Sequence, residues 1–210
     1  MQVIRYADDT QVLVSGPTSR LTDMQRAMEC VLDTLGTYFM QNGMCVNASK
    51  TELLFVGGRQ QVAATDLTPS VQFMGATLQP AMKVKSLGLI MDSNLTYESH
   101  IDSVVQRCNG ILIGLLHARH VLPQETLPAL INSLVLSHLR YCCTVYGNRA
   151  SVTSLQRLQK VINFAARVVS GRKKFHHISD VLSKLGWLSA RQLFEHSTLC
   201  AVRKILATDE

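Results

Sequence analysis

The amino-acid sequence predicts an α+β fold, with short strands and one long helix in its first part and helices alone in its second. Apolar runs of strand length, bounded by turn residues, recur over residues 1–92. One apolar stripe at helical spacing spans residues 19–41, and helical spacing dominates from residue 94 onward. The chain has 210 residues, of which 47% are hydrophobic and 17% charged. This composition favours a folded core over disorder, with a boundary between the two parts near residues 92–96.

The chain opens with two short apolar runs that flank a pair of acidic residues. Residues 3–4 and 12–14 are apolar, and Tyr6-Ala7-Asp8-Asp9 lies between them, which predicts a β-hairpin with two carboxylates at its tip. Adjacent carboxylates repel each other unless a cation lies between them. A hard cation such as Mg²⁺ is bound by one or two carboxylates together with substrate phosphates. The pattern therefore indicates a metal site, and the alternative is a solvated turn of the kind that Asp favours.

A helix is predicted over residues 19–41, after the breaker Gly16-Pro17. Asn42-Gly43 is expected to end it, because glycine adopts the left-handed conformation found at helix ends. The stripe consists of Leu21, Met24, Met28, Val31, Leu32, Leu35, Tyr38 and Phe39.

Short strands are predicted after this helix. Residues 44–46 and 52–56 have strand character, with a polar turn at 47–51 between them. Residues 59–82 are predicted to be irregular, with weak strand signals at 71–73 and 76–78. Residues 84–92 predict a strand pair or a bent strand, in which Gly88 eases the bend.

Five helices are predicted in the second part, over residues 98–119, 123–147, 151–170, 176–185 and 189–207. Pro123 suits the first turn of a helix, and Ser151 and Ser189 are candidate N-caps. Trp187, Tyr141 and Tyr146 are expected in the core.

The charge is distributed unevenly along the chain. Residues 1–105 contain 7 Lys and Arg against 10 Asp and Glu, a net charge of −3. Residues 106–210 contain 14 against 5, a net charge of +9. Such asymmetry suggests that the second part binds a polyanion. The alternative is a solvated, basic helical surface.

Several classes of protein are not indicated by the sequence. No charged leader followed by an apolar run is present, so no signal peptide is expected, and no apolar stretch is long enough to span a bilayer. The six cysteines lack the spacing of a disulfide framework and are expected to be reduced, most of them as small core residues. Ordinary packing is favoured over zinc binding for the pairs His138–Cys142, His196–Cys200 and His117–His120, because no Cys-x2-Cys pair accompanies them.

The order of these motifs resembles that of one protein family. Tyr6-Ala7-Asp8-Asp9-Thr10 looks like the third palm motif of reverse transcriptases. Residues 38–52 are similar to the next palm motif of non-LTR (LINE-type) retrotransposon polymerases, and residues 84–92 resemble their primer-gripping hairpin. Further matches, to the helical thumb and the segment after it, are residues 95–101, 141–147, 155–167 and 177–188. The resemblance covers nearly the whole chain.

This resemblance implies a fold and a set of roles. Residues 1–92 would be a partial palm of antiparallel strands plus a helix, residues 93–170 a helical thumb, and residues 171–210 a C-terminal helical segment. Asp8 would be a catalytic Mg²⁺ ligand and Asp9 a weaker one. Lys50 would protonate or neutralise the leaving pyrophosphate, and Leu87 and Gly88 would place the primer end. Alternatives remain: Asp9 shapes the turn, Lys50 is a surface lysine, and Leu87 is a core residue.

The resemblance also implies partners. An RNA template and a DNA primer would be bound, and in the intact enzyme also a dNTP. The nucleic acid would be held by Arg157, Lys160, Arg167, Arg172, Lys173 and Lys174. Residues 172–174 have the alternative role of a cationic helix end. A nuclear or cytoplasmic location follows from the family, whereas no membrane partner is expected.

The family's polymerases need more than this sequence contains. Their fingers, a further palm aspartate and an endonuclease have no match here, so the two-metal site is expected to be incomplete. The chain is therefore expected to be an inactive fragment of an RNA-directed DNA polymerase. The alternatives are a non-enzymatic nucleic-acid-binding module and the remnant of a decayed element.

Overall fold

The computed structural model describes residues 1–58 and 70–208. The chain divides into two compact units. The N-terminal unit comprises Met1–Ser86 and Asp92–Leu95, and the helical unit comprises Leu87–Met91 and Thr96–Glu210. Helices and short antiparallel strand pairs confirm the α+β class. The three-part division into palm, thumb and C-terminal segment stays a prediction.

The chain begins with the expected hairpin. Strands β1 (Gln2–Tyr6) and β2 (Asp9–Leu13) pair in antiparallel register, with Tyr6 opposite Asp9. None of the ten strand residues is buried, so this hairpin contributes little to the core of the unit.

Helix α1 (Leu21–Gln41) follows a short 3₁₀ turn and ends where the sequence predicted. Gly43 has a φ of +71°. The Gly43 N–H donates to the Met40 carbonyl and the Met44 N–H to the Phe39 carbonyl, at 3.1 and 2.9 Å. These two bonds form a Schellman motif, which satisfies carbonyls that the helix itself leaves without a donor.

A second hairpin packs on α1 and forms the core of the N-terminal unit. Strands β3 (Val71–Phe73) and β4 (Ala76–Leu78) confirm the weak strand signals, and the turn between them places Met74 and Gly75 at positive φ. Two residues at positive φ are typical of the tightest hairpin turn. The core residues are Val71, Phe73 and Leu78, packed against Met28, Leu32, Val46, Ala48 and Leu53.

The predicted strands at 44–46 and 52–56 were wrong. Residues 44–47 are irregular, and Leu53 forms only an isolated parallel bridge with Pro80. The bridge is made by the Ala81 N–H, which donates to the Leu53 carbonyl at 2.7 Å, and it stays isolated among the described residues. The polar turn is a 3₁₀ helix, Ala48–Lys50. Of the irregular stretch predicted at 59–82, residues 59–69 lie outside the described part of the chain.

Strands β5 (Lys83–Ser86) and β6 (Leu89–Asp92) form the third two-stranded sheet. Leu87 and Gly88 connect them, with φ values of +47° and +83°. The expected strand pair is confirmed, and Gly88 occupies the turn rather than a bend within one strand.

The helical unit begins with one long helix, and the segment after it differs from the prediction. Helix α2 (Glu98–Ala118) corresponds to the helix predicted at 98–119. Residues 123–147 do not form the single helix that was expected. Thr126 donates its N–H and its hydroxyl to the Pro123 carbonyl, at 3.1 and 2.7 Å, which makes a turn. Helix α3 (Leu127–Ile131) starts after it, and Pro128 takes the first-turn position expected for Pro123.

Helical backbone continues from Leu127 to Arg140 through a π-helical turn, and the break in the segment follows Arg140. A π-helical turn, Asn132–Leu136, precedes α4 (Ser137–Arg140), and Ser133 and Ser137 donate their hydroxyls to carbonyls one turn earlier. Such bonds compete with the regular ladder and bend helices. Cys142 then adopts a φ of +51°, which separates α4 from α5 (Cys143–Tyr146) and the 3₁₀ turn Gly147–Arg149.

Three further helices complete the unit: α6 (Val152–Ser170), α7 (Ser179–Leu185) and α8 (Ala190–Thr208). Both predicted N-caps are confirmed. The Ser151 hydroxyl accepts the Ser154 N–H at 3.1 Å. At α8, Ser189 and Gln192 form a reciprocal capping box, in which the Gln192 side chain accepts the Ser189 N–H at 3.0 Å.

Contacts at both ends show that α2 and α6 run in the same direction. At their starts, the Glu98 carboxylate accepts hydrogen bonds from the Ser151 and Ser154 hydroxyls, at 2.8 and 2.5 Å. At their ends, the terminal nitrogens of Arg119 lie so close to Gly171 that a Cβ there would be 2.5 Å away. The carboxylate near two helix N-termini is favourable because both dipoles are positive there.

Burial confirms some of the expected core residues and corrects others. Tyr146 and Trp187 are buried, as predicted, whereas Tyr141 is 50% exposed. Only Cys108 and Cys143 are buried, so the expectation that most cysteines are core residues was wrong. Burial raises the pKa of Cys108 to about 11, which makes that thiol a small apolar residue.

No helix in the described part of the chain has both the length and the apolar character needed to cross a membrane.

Candidate functional site

The acidic residues lie at the tip of the β1–β2 hairpin. The connection consists of Ala7 and Asp8, and Ala7 has a φ of +52°. A positive φ at the first residue is typical of a two-residue hairpin turn, although it is unfavourable for alanine. Asp8 and Asp9 are both exposed, and within residues 1–58 and 70–208 no hydrogen bond or ion pair reaches either carboxylate.

One face of the hairpin is held by helix α1. The Arg5 guanidinium lies over the rings of Tyr38 and Phe39, 5.3 and 5.8 Å from their centroids. Residues alternate between the two faces of a strand, so Ile4 and Tyr6 belong to the opposite face. Both are exposed there, at 45% and 68%. On that same face Gln11, opposite Ile4 in register, donates to the Ser86 hydroxyl, so the unit holds both faces of the hairpin and leaves Ile4 and Tyr6 exposed.

The chemistry of this tip suits a hard cation. Two neighbouring carboxylates supply oxygen ligands, and Mg²⁺ accepts one or two carboxylates when phosphates and water complete its shell. In the described residues, no group of three or more His, Cys, Asp or Glu side chains is close enough to hold a metal by itself. Asp8 and Asp9 are therefore oxygen ligands of the kind that Mg²⁺ accepts, and their role as metal ligands stays a prediction.

Lys50 lies at the end of the 3₁₀ helix that follows α1. Asn47 caps this short helix by accepting the Ser49 N–H at 3.0 Å. The Lys50 side chain is exposed, and among the residues described no ion pair joins it to Asp8 or Asp9. Its role as a proton donor to pyrophosphate and its alternative as a plain surface lysine both stay predictions.

The tip of the β5–β6 hairpin is anchored by residues from α2 and from the break after α4. The Tyr141 hydroxyl donates to the Leu87 carbonyl, and a Cβ on Gly88 would lie 3.4 Å from the Tyr141 ring. The Ile90 N–H donates to Nδ1 of His100 at 3.4 Å. Leu87 is 41% exposed, which argues against its alternative role as a core residue.

His100 and Tyr141 are the site-supporting residues that sequence reasoning missed. His100 is buried, and desolvation lowers its pKa, so the ring is neutral at pH 7 and can accept the Ile90 N–H. Tyr141 was expected in the core. Both partners are more than nine residues away from the atoms they bind, so neither contact leaves a local sequence signal.

Two of the six predicted nucleic-acid-binding residues are paired with carboxylates. The Arg157 guanidinium lies 2.5 Å from the Asp102 carboxylate. Arg172 donates to both oxygens of Asp180, at 2.6 and 2.5 Å. The side-chain hydrogen bond from Arg172 lowers the pKa of Asp180, so the pair stays charged at neutral pH.

The other four differ in accessibility. Lys160, Lys173 and Lys174 are exposed, and within the described ranges none of them forms an ion pair. Arg167 is half-buried, and its Nε has no hydrogen-bond partner among the described residues. The three lysines are therefore the most available contacts for an external phosphate.

Comparisons with known proteins identify relatives of the chain. Over 114 residues it is 27% identical to the "Putative 115 kDa protein in type-1 retrotransposable element R1DM" of Drosophila melanogaster, a match that covers 54% of this chain and 10% of that protein. Over 183 residues it is 25% identical to the "RNA-directed DNA polymerase from mobile element jockey" of Drosophila funebris, covering 85% of this chain and 19% of that protein.

These relatives are proteins of non-LTR retrotransposons, which confirms the resemblance inferred from the motifs. The chain spans about a tenth to a fifth of their length. No family model matches the sequence, and no solved structure does.

Proposed function

We propose that these residues form part of the RNA-directed DNA polymerase of a non-LTR retrotransposon. The observation that supports this most strongly is the hairpin at Tyr6–Asp9, which presents two carboxylates without partners among the described residues, in a chain similar to the jockey polymerase. In this proposal the N-terminal unit is the catalytic part of a palm. The helical unit is the thumb together with the segment after it.

Asp8 is the main Mg²⁺ ligand in this proposal, and Asp9 is the weaker one. When bound, the metal would neutralise the charge that develops on the phosphates of an in-line transfer to the primer 3′-hydroxyl. Lys50 is proposed to donate a proton to the leaving pyrophosphate. Its exposed position at the end of a 3₁₀ helix leaves its amine accessible to a ligand.

The exposed face of the hairpin supports the idea that a further segment completes this site. An isolated two-stranded hairpin is at best marginally stable in water, and additional strands or a helix usually cover its apolar face. Ile4, Tyr6 and Leu13 are 45%, 68% and 54% exposed. We propose that a polymerase segment bearing a further aspartate covers this face and supplies the remaining metal ligand.

The anchored turn at Leu87 and Gly88 is proposed to place the end of the primer. Tyr141 and His100 fix this turn by hydrogen bonds to Leu87 and Ile90. The exposed lysines of the helical unit are proposed to bind the phosphates of an RNA template paired with a DNA primer. A binding module without catalysis is the second candidate, and the net charge of +9 over residues 106–210 favours it.

Primer extension tests whether this chain acts alone. We expect the purified chain to add no dNTP to a DNA primer on an RNA template in the presence of Mg²⁺, because two carboxylates cannot hold both metal ions of the reaction. The Asp8→Asn variant is the matched control and should give the same background. Extension by the wild-type chain that Asp8→Asn abolishes would show that the chain is a complete polymerase.

A further inference from the structure

The loop that follows α6 exposes an aromatic ring among positive charges. This 172–177 loop has the sequence Arg-Lys-Lys-Phe-His-His. Phe175 is 89% exposed, the highest value for any large apolar side chain in the part of the chain that the structure describes. Lys173 and Lys174 directly precede it and are exposed as well.

The loop is held in one conformation by its own hydrogen bonds. Gly171 ends α6 with a φ of +69°, and its N–H donates to the Arg167 carbonyl at 2.8 Å. The His176 N–H donates to the Lys173 carbonyl at 3.1 Å. This bond closes a β-turn with Lys174 and Phe175 as its two central residues. The aromatic ring therefore lies at the tip of an ordered turn.

Arg172 fastens the two ends of the loop together. Its guanidinium donates to the His177 carbonyl at 2.6 Å and to both carboxylate oxygens of Asp180. Ile178, which follows the loop, is buried. Arg172 thus acts as a brace, and the charges free to meet a ligand are those of Lys173 and Lys174.

The ring and the ammonium group of Lys174 lie close together. The Lys174 ammonium nitrogen lies 5.8 Å from the centre of the Phe175 ring. A ligand that satisfies both groups has a flat π face beside a negative charge. A base with its adjoining phosphate meets this description, and stacking on an aromatic ring needs a base that is free of its duplex neighbours.

We propose that the 172–177 loop binds single-stranded nucleic acid, with a base stacked on Phe175 and the adjoining phosphates on Lys173 and Lys174. This inference rests on the proposed function and adds a partner to it, because the helical unit was otherwise expected to hold a base-paired hybrid. Preorganisation by Arg172 lowers the entropy that the loop loses on binding.

The test is fluorescence anisotropy of a labelled short oligouridylate with the full chain and its variants. Phe175→Ala is expected to weaken binding by about 5- to 100-fold, the range for removal of one stacking platform. Phe175→Tyr should restore most of the affinity, since it keeps the ring. Phe175→Leu should remain weak, because it keeps apolar surface but has no π face.

Two controls separate the loop from general effects. Leu199→Ala truncates another exposed apolar side chain, 69% exposed on α8, and should leave binding unchanged. A base-paired RNA–DNA hybrid should bind Phe175→Ala nearly as well as the wild type, because its base faces are covered.

Several results would overturn the proposal. Equal affinity of Phe175→Ala and the wild type for the oligouridylate would remove the stacking role and leave the proposed function intact. Tighter binding to vesicles containing phosphatidylserine, lost in Phe175→Ala while the oligouridylate is unaffected, would make the loop a membrane contact. Binding to neither single strands nor hybrids at low salt would contradict both the loop's role and the proposed function.

Discussion

Replacement of Tyr146 by alanine is expected to destabilise the helical unit by about 3–5 kcal/mol, the usual cost of removing a large buried aromatic side chain. Tyr146 is completely buried. Its ring meets His100 and Phe194 edge to face, with centroids 4.9 and 5.5 Å apart, and its hydroxyl donates to the Leu139 carbonyl at 2.6 Å. One side chain thus joins α2, α4 and α8, and its loss leaves a cavity between them.

Urea unfolding followed by the fluorescence of Trp187 measures this effect, because the only tryptophan of the chain lies in the helical unit. Tyr146→Phe is the matched variant. It keeps the ring and loses the hydroxyl, so about 1–2 kcal/mol is expected. A loss below about 1 kcal/mol for Tyr146→Ala would mean that Tyr146 does not hold these helices together.

Binding of an RNA–DNA hybrid is expected to fall steeply with salt. If about five cations of the helical unit contact phosphates, affinity should fall about 500-fold between about 50 and about 200 mM salt, because each contact releases a counterion. The measurement is hybrid affinity by anisotropy across this range. A flat dependence would show that the positive charge is only a solvated surface.

Two residues of α6 provide a matched pair for this experiment. Lys160 is exposed, whereas the Arg157 guanidinium is paired with Asp102 at 2.5 Å. Lys160→Gln should reduce the salt slope by about one, as expected for one lost phosphate contact. Arg157→Gln should change it less, because Asp102 already compensates that charge. A larger reduction of the salt slope in Arg157→Gln than in Lys160→Gln would mean that the Arg157–Asp102 ion pair opens when nucleic acid binds.

Local signals in the sequence predicted several elements accurately. Asn42-Gly43 marks the end of α1, and Ser151 marks the start of α6, because a cap is made by one residue with its neighbours in sequence. The hairpin with Asp8 and Asp9 followed from the same kind of local pattern.

Elements that depend on distant partners were predicted less well. Residues 52–56 have strand composition, but among them only Leu53 pairs, in an isolated bridge with Pro80. Residues 123–147 have helical periodicity, yet the turn from Pro123 to Thr126 and the positive φ of Cys142 interrupt the helix. Propensity describes the isolated segment, whereas the fold depends on what lies across from it.

In the candidate site, too, contacts between residues far apart in the sequence could not be predicted. Composition identified the cations of the helical unit. It could not show that Arg157 forms an ion pair with Asp102, or Arg172 with Asp180. Nor could it show that Tyr141 lies outside the core, with its hydroxyl donating to the Leu87 carbonyl. The ion pair of Arg157 and the bond of Tyr141 join residues more than fifty positions apart, so only the fold shows them.

In the proposed function, the β1–β2 hairpin is the metal-binding element of a polymerase. Paramagnetic broadening by Mn²⁺, used in place of Mg²⁺, tests it most directly in an NMR spectrum of the ¹⁵N-labelled chain. Broadening should appear first at the amides of residues 6–10 and should disappear from them in Asp8→Asn. Broadening that spreads evenly over the acidic surface, or that Asp8→Asn leaves unchanged, would contradict the claim.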